Sequence, residues 1–228
     1  MRLITNEKLI ARNAAIGKYS ATAGLVILIG GLLVSLFKQE PEYQLIPFYT
    51  LIIGFILSNV GIYYSNRFVR APRPDQSLEG ALKGMDDKYI LYHYRLPAPH
   101  VLVCPSGVYA LVPKFQSGEL LWDGKRWKHK GANIFLSLFG QEGLGNPNAE
   151  AASEVDTLAK FLAKKVGGDI PPTQAIIVFY NPKAVIDAKD APIPAVHVKQ
   201  FKEYLRKLPK GPTLSPEQIS VLNAALGV

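Results

Sequence analysis

Two long stretches without a charged residue constrain this chain more than any other feature of its sequence. No Asp, Glu, Lys or Arg occurs in residues 19–37 or in residues 43–66. An α-helix rises about 1.5 Å per residue, so roughly 20 apolar residues cross the hydrocarbon layer of a bilayer. The stretches therefore predict two transmembrane α-helices, over residues 19–37 and about 45–64, in a membrane hairpin that covers residues 1–70.

A cleavable signal peptide and the core helices of a soluble bundle are the alternatives. A signal peptide carries its small residues after the apolar run, whereas Ala21, Ala23 and Gly24 lie at the front of the first stretch. A second apolar stretch also follows almost at once. Core helices of a soluble bundle seldom need so long an uncharged run. We therefore favour two membrane spans.

Basic residues flank the stretches unevenly, which predicts their orientation. Lys and Arg near span ends stay on the cytoplasmic side, and the short connecting loop holds only Lys38, with Glu40 and Glu42. We expect a multi-pass protein of the cell membrane, with both termini and the soluble domain in the cytoplasm. Small residues at four-residue spacing, such as Gly54 and Ser58, would let the helices of an antiparallel hairpin pack closely.

The net charge and the cysteine content limit which binding partners and which cellular compartment fit this chain. The net charge of +8 is spread over both parts of the chain, and a mildly basic domain beside an anionic membrane surface needs no nucleic acid to explain it. The single cysteine, Cys104, excludes an intrachain disulfide, as in a reducing compartment. It lies in an apolar, strand-like run, which indicates a buried thiol.

Residues 71–77 contain two prolines and are predicted to link the hairpin to a soluble domain over residues 78–228. The domain is predicted to open with a helix over residues 78–85 and a strand over residues 89–94. A chain of this length is sufficient for one domain with its own core.

Turn residues then predict two β-hairpins. His100–Cys104 and residues 108–112 flank a Pro-Ser-Gly turn, and residues 119–122 and 126–130 flank Asp-Gly. After these strands the order changes to alternating helix and strand. The predicted elements are a helix opened by Asn146 and Pro147, an apolar strand at 175–179, a strand near Val196, a helix at 199–208 and a last helix at the capping box Ser215-Pro216-Glu217-Gln218. The fold class is therefore α/β, a mixed sheet with flanking helices.

This series of elements resembles the nuclease-related domain, NERD, over most of residues 78–228. The resemblance rests on residues 100–118, the helix after Asn146, the strand at 175–179 and the terminal Ser-Pro-Glu-Gln helix. It implies a restriction-endonuclease-like fold of the PD-(D/E)XK type. In that family a helical Glu precedes a strand with Asp-His, and the next strand ends in Glu-x-Lys. Asp and Glu hold a divalent cation, while Lys steadies the attacking water or the phosphate.

Aligning the two Pro-Ser-Gly turns shows where this sequence departs from the family. Pro99 takes the place of the Asp and Val112 that of the Glu, while His100 and Lys114 match the family's His and Lys. A hard cation requires converging carboxylates, so both core ligands are missing. The resemblance leaves Lys114, Glu79 and His100 as candidate catalytic residues and assigns no metal ligand. Mg²⁺ or Mn²⁺ is implied only for a nuclease with relocated ligands.

Each candidate also has a structural interpretation. Without acidic partners, Lys114 is interpreted either as a solvated residue at the end of a strand or as a phosphate contact. Among its apolar neighbours, His100 is interpreted either as a structural hydrogen-bonding group or as a metal ligand. Glu119, a few residues past the second strand, is available to a rearranged metal site.

Basic and aromatic residues alternate around Asp-Gly. The candidate contacts to nucleic acid or lipid headgroups are Lys125, Arg126, Trp127, Lys128 and Lys130, with Trp122 nearby. Such a mixture is typical of single-strand binding, and it also describes a hairpin on anionic headgroups or a solvated strand pair. The apolar residues 134–139 are predicted to cover a sheet edge, enter the membrane interface or contact a partner.

The sequence favours a membrane-anchored, catalytically inactive nuclease-related domain that acts in binding or assembly at the cytoplasmic face. The competing interpretations are a metal-dependent nuclease with relocated ligands and an accessory subunit of a larger membrane complex. The expected partners are the lipid bilayer, other membrane subunits and, as a further alternative, nucleic acid.

Overall fold

A computed structural model describes residues 1–38, 40–131 and 143–228. The chain divides into two compact units. One holds residues 7–73, and the other holds residues 1–6 with the described residues from Pro74 onward. The predicted apolar segment 134–139 lies outside the described residues.

The first unit is a pair of long helices, α1 (Glu7–Phe37) and α2 (Ile46–Phe68), with a 3₁₀ turn at Pro41–Tyr43 between them. Both helices are long and apolar enough to cross a membrane. Each extends beyond the uncharged stretch that predicted it, α1 at its start and α2 at its end. Charged residues near helix ends interrupt the apolar run but not the helical backbone.

Small residues fill the contact between α1 and α2. The facing pairs are Gly17 with Ser65, Gly24 with Ser58, and Gly31 with Thr50. This order confirms the predicted antiparallel hairpin. The contacts on α1 recur every seven residues, while on α2 the predicted four-residue pair, Gly54 and Ser58, both contact Gly24. The closest approach to a backbone atom is at Gly61, where an added Cβ would lie 2.5 Å from the backbone nitrogen of Ala21.

The second unit contains the strands. The described residues form β1 (Arg2–Thr5), β2 (Ile90–His93), β3 (His100–Cys104), β4 (Gly107–Lys114), β5 (Gly118–Trp122), β6 (Trp127–Lys130), β7 (Thr173–Phe179), β8 (Ala184–Asp187) and β9 (Ala195–His197). Six of them build a mixed sheet in the order β1-β2-β3-β4-β7-β9. β3 is antiparallel to both β2 and β4, while β1 runs parallel to β2, and β7 runs parallel to both β4 and β9.

A smaller sheet has the order β6-β5-β8. β5 and β6 form the second predicted hairpin, but their loop is wider than the expected Asp-Gly turn because Trp122 pairs with Trp127. Asp123 supports this four-residue loop by accepting hydrogen bonds from the backbone N–H groups of Lys125 and Arg126. β8 was not predicted, since its short Ala-Val-Ile-Asp run is bordered by charged residues and proline.

The described residues form four helices that flank the large sheet: α3 (Pro74–Leu82), α4 (Pro147–Lys165), α5 (Val198–Lys207) and α6 (Pro216–Leu226). On one face, Leu78 of α3 and Phe201 of α5 pack against Leu102 and Leu111. On the other, α4 and α6 pack through residues such as Leu158. The architecture is therefore a mixed α/β sheet flanked by helices, as predicted.

Helix starts follow their capping residues. Asn146 accepts a hydrogen bond from the Ala149 N–H at 3.2 Å, directly before Pro147. Ser215 and Gln218 form the reciprocal capping box that the sequence predicted for α6. Both predicted helix starts are confirmed.

Two boundaries differ from the sequence predictions. Residues 74–77 belong to α3 and not to a linker, because proline fits the first helical turn. The segment Arg2–Thr5 is a strand of the large sheet and not part of the helical hairpin. Its ends are held by hydrogen bonds from Arg2 N–H to the Tyr89 carbonyl and from Asn6 N–H to the His93 carbonyl.

Candidate functional site

The positions that the resemblance assigns to metal-binding carboxylates are neighbours in the large sheet. In the β3–β4 ladder Val101 lies opposite Ala110, and continuing this antiparallel register by two residues places Pro99 opposite Val112. Val112 is fully buried and Pro99 is half-buried. The two side chains carry no oxygen, so this pair cannot ligate a hard cation.

Lys114 lies two residues beyond Val112 on the same face of β4. Its ammonium group forms an ion pair with the carboxylate of Glu150, in the first turn of α4. The Lys114 side chain is only 11% exposed, against 41% for Glu150. Glu150 thus supplies the negative charge beside Lys114. This partner was not predictable from the sequence, because an acidic residue in the first turn of a helix is ordinarily explained by the helix dipole.

His100 is buried in a pair with His93, its direct neighbour across the β2–β3 ladder. Their Nδ1 atoms lie 2.8 Å apart, so the Nδ1–H of one ring donates a hydrogen bond to Nδ1 of the other. The Tyr94 and His100 rings also make a T-shaped contact, with their centroids 4.8 Å apart. Burial holds the pKa of His100 well below its ordinary value, and the nearby His93 lowers this pKa further. His100 is therefore neutral in the folded protein near neutral pH.

This neutrality predicts a pH dependence of stability. Because the folded state disfavours the protonated imidazole, the unfolded chain binds more protons once the pH falls below the ordinary pKa of 6.5. We expect the free energy of unfolding to be highest above that pH and to decrease as the solution is acidified toward the lower pKa of the folded state. His100→Asn keeps a polar atom near the Nδ1 position but does not titrate, so its stability should vary less with pH.

Urea unfolding at several pH values between about 7 and 5 measures this difference. His197→Asn is the matched control, because His197 caps α5 by accepting a hydrogen bond from Lys199 N–H and asparagine fits an N-cap. Equal pH dependence in wild type and His100→Asn would contradict the assignment.

The other acidic candidates lie elsewhere. Glu79 is exposed on α3, which packs on the sheet face opposite to Lys114. Glu119 lies on β5, where its carboxylate is 3.9 Å from the Lys130 ammonium group. Among residues 1–38, 40–131 and 143–228, no three His, Cys, Asp or Glu side chains converge as a metal site would require. The candidate carboxylates that the structure describes therefore do not form a divalent metal site.

The aromatic residues of the β5–β6 hairpin point into the protein. Trp127 is 9% exposed and packs on Phe179, with the ring centroids 5.7 Å apart. Its Nε1–H donates a hydrogen bond to Asn148 Oδ1 at 3.0 Å. Trp122 packs against the same cluster. Base stacking requires an exposed ring face, which the buried Trp127 does not present, while Trp122 is half-buried.

The basic residues of this hairpin are exposed and partly balanced. The Lys128 ammonium group lies 3.0 Å from Asp123, and the Arg126 guanidinium lies 4.0 Å from the same carboxylate. The backbone N–H of Arg126 and the side chain of Lys128 hold the pKa of Asp123 well below its usual range. Lys125 forms no ion pair among the residues that the structure describes. The hairpin is therefore a weakly basic surface without a built anion pocket.

The candidate residues thus occupy separate places. Lys114 lies beside α4, His100 lies inside the sheet, Glu79 is on the opposite helical layer, and the basic residues lie on the smaller sheet. The arrangement supports ion pairing and weak anion contact, and no described group of carboxylates supports metal-assisted hydrolysis. A scan of protein-family models, a search of curated proteins and a search of solved structures each found no match to this chain.

Proposed function

We propose that this protein is a membrane-anchored, catalytically inactive domain of the nuclease-related type, used for binding or assembly at the cytoplasmic face of the cell membrane. The observation that carries the proposal is the apolar pair at the two ligand positions, Pro99 and Val112, beside a Lys114 that pairs with Glu150. Hydrolysis by a PD-(D/E)XK-like site needs two carboxylates where these side chains lie.

The distribution of apolar surface supports the membrane anchor. Leu25, Phe37 and Phe55 are 57%, 77% and 64% exposed on α1 and α2, while glycines occupy the helix contact. A water-soluble helix pair would bury the large side chains, since extended apolar surface is unfavourable in water. Close packing through small residues with large ones outside is the arrangement that lipid favours.

The topology also supports placing both ends of the hairpin on one side of the bilayer. Residues 1–6 and the chain from Pro74 onward build one sheet, so the segments before α1 and after α2 share a side of any membrane that the helices cross. Basic residues are concentrated in those segments, which favours the cytoplasmic side.

The order of elements supports a nuclease-related fold. A helix, α3, precedes the β3–β4 hairpin with its Pro-Ser-Gly turn, and α4, the buried strand β7 and the capped helix α6 follow. β7 runs parallel to β4, whose end carries Lys114. This is the series that the resemblance implies, with its carboxylates replaced.

The test is a nuclease assay on the full chain in lipid nanodiscs. We expect no cleavage of labelled single- or double-stranded DNA or RNA with Mg²⁺ or Mn²⁺, in either wild type or Lys114→Ala. The matched control is Lys160→Ala. It removes a different ion pair, between the Lys160 ammonium group and the Asp156 carboxylate 2.7 Å away, both on α4. Cleavage that a chelator and Lys114→Ala both abolish, with Lys160→Ala active, would overturn the proposal and establish relocated ligands.

A further inference from the structure

A cavity of about 740 Å³ opens at one edge of the large sheet, within the second unit. Its walls come from β1, the start of β2, the end of β3 and the last helix, α6. Small-molecule sites in proteins commonly measure about 300–1,000 Å³. The cavity is distinct from the Lys114–Glu150 pair, and neither residue lines it.

Most of the cavity wall is apolar. Ile90 and Leu214 are buried at its base, at 1% and 3% exposure, and Val103, Ile219 and Ala224 continue the lining. An apolar wall of this kind removes a hydrocarbon chain from water and gains free energy in proportion to the area buried.

A polar contact adjoins the cavity wall at Asn223. The Tyr92 hydroxyl donates a hydrogen bond to Asn223 Oδ1 at 2.8 Å, and Asn223 lines the cavity. Burial raises the pKa of Tyr92 to about 12, and the nearby Arg2 guanidinium acts in the opposite direction. The positive charge of Arg2 is therefore close to this contact.

The charged rim is not balanced. Arg2 and Lys88 are exposed and line the cavity, and within the described part of the chain neither forms an ion pair. Asp87, the acidic side chain of the lining, lies 3.3 Å from the amino group of Met1. Two exposed cations thus line a largely apolar cavity, which is the charge pattern that complements an anionic head on an apolar chain.

We propose that this cavity binds an amphipathic anion, with its hydrocarbon chain against Ile90, Val103 and Ile219 and its carboxylate or phosphate at Arg2 and Lys88. The ligand is either a free fatty acid or an anionic lipid of the bilayer, since both present the same chemistry. The inference goes beyond the proposed function and does not depend on the fold family or on loss of catalysis.

The experiment is photo-crosslinking of the full chain in phosphatidylcholine nanodiscs with a palmitate that carries a diazirine in its chain. Peptides from residues 88–104 and 213–228 are expected to be labelled, in addition to the apolar helices. Excess palmitate should remove this labelling, whereas hexadecanol, with the same chain and no charge, should not. Equal competition by hexadecanol, or no labelling of these peptides, would overturn the proposal.

Variants test the two parts of the site separately. Arg2→Gln combined with Lys88→Gln should reduce labelling of the cavity peptides about tenfold, and Ala224→Trp should block the cavity. Lys125→Gln combined with Lys128→Gln removes the same charge from the β5–β6 hairpin and should leave labelling unchanged. Equal loss in both charge variants would contradict the site. Competition by phosphatidylglycerol in the disc would identify the bilayer as the source, and competition by palmitate alone would identify free fatty acid.

Discussion

Gly61→Ala is expected to destabilise the helical hairpin by about 1–3 kcal/mol, the range for overpacking a tight contact. The added methyl group would lie 2.5 Å from the Ala21 nitrogen and 2.6 Å from its Cα. Both are backbone atoms, so no rotamer change relieves the overlap, and α1 and α2 must move apart. Loss of helical circular dichroism as SDS is added to the detergent-solubilised chain measures the effect.

Gly30→Ala is the matched control, since an added Cβ there meets no atom within 4 Å. Alanine is the better helix former, by about 0.5–1 kcal/mol, so this variant should be neutral or slightly more stable. Trp122 and Trp127 both lie on the smaller sheet. Their fluorescence therefore follows unfolding of the second unit and shows whether that unit stays folded while the helical hairpin is destabilised. Equal loss of stability in Gly30→Ala and Gly61→Ala would contradict the close contact.

Ile4→Asp should lower the free energy of unfolding of the sheet unit by about 2 kcal/mol, the order expected for losing an apolar contact and placing a charge beside it. Ile4 lies on β1 opposite Tyr92 and packs against the core that α4 and α6 cover. Urea unfolding followed by tryptophan fluorescence measures this change.

The neighbouring residue supplies the control for this prediction. Leu3 is 41% exposed on the other side of β1, so Leu3→Asp keeps the same change in charge and strand propensity with less loss of packing. We expect a clearly smaller effect. If both variants unfold at the same urea concentration as wild type, β1 does not contribute to the sheet.

Elements with a local cause were predictable from the sequence. The hairpin around Pro-Ser-Gly, the caps at Asn146 and Ser215 and the buried strand β7 each depend on neighbouring residues, and the structure has all of them. The fold class followed from their order.

Features that depend on distant partners were not predictable. β1 pairs with residues that follow it by the whole helical hairpin, and four residues are too few for a strand pattern. The Glu150 partner of Lys114 and the inward position of Trp127 required knowing how α4 packs on the sheet. Aligning the turns was sufficient to place Pro99 and Val112 at the two ligand positions. That these residues are neighbours across the sheet follows only from the β3–β4 register.

The position of β1 ahead of both helices has a consequence for synthesis. Ribosomes deliver Arg2–Thr5 first, while the strand that receives it, Ile90–His93, emerges only after α1 and α2 are complete. Domains usually fold in the order in which they leave the ribosome, but this sheet cannot close until both apolar helices have been synthesised. The unpaired edge of Arg2–Thr5 therefore needs protection from other chains in the interval.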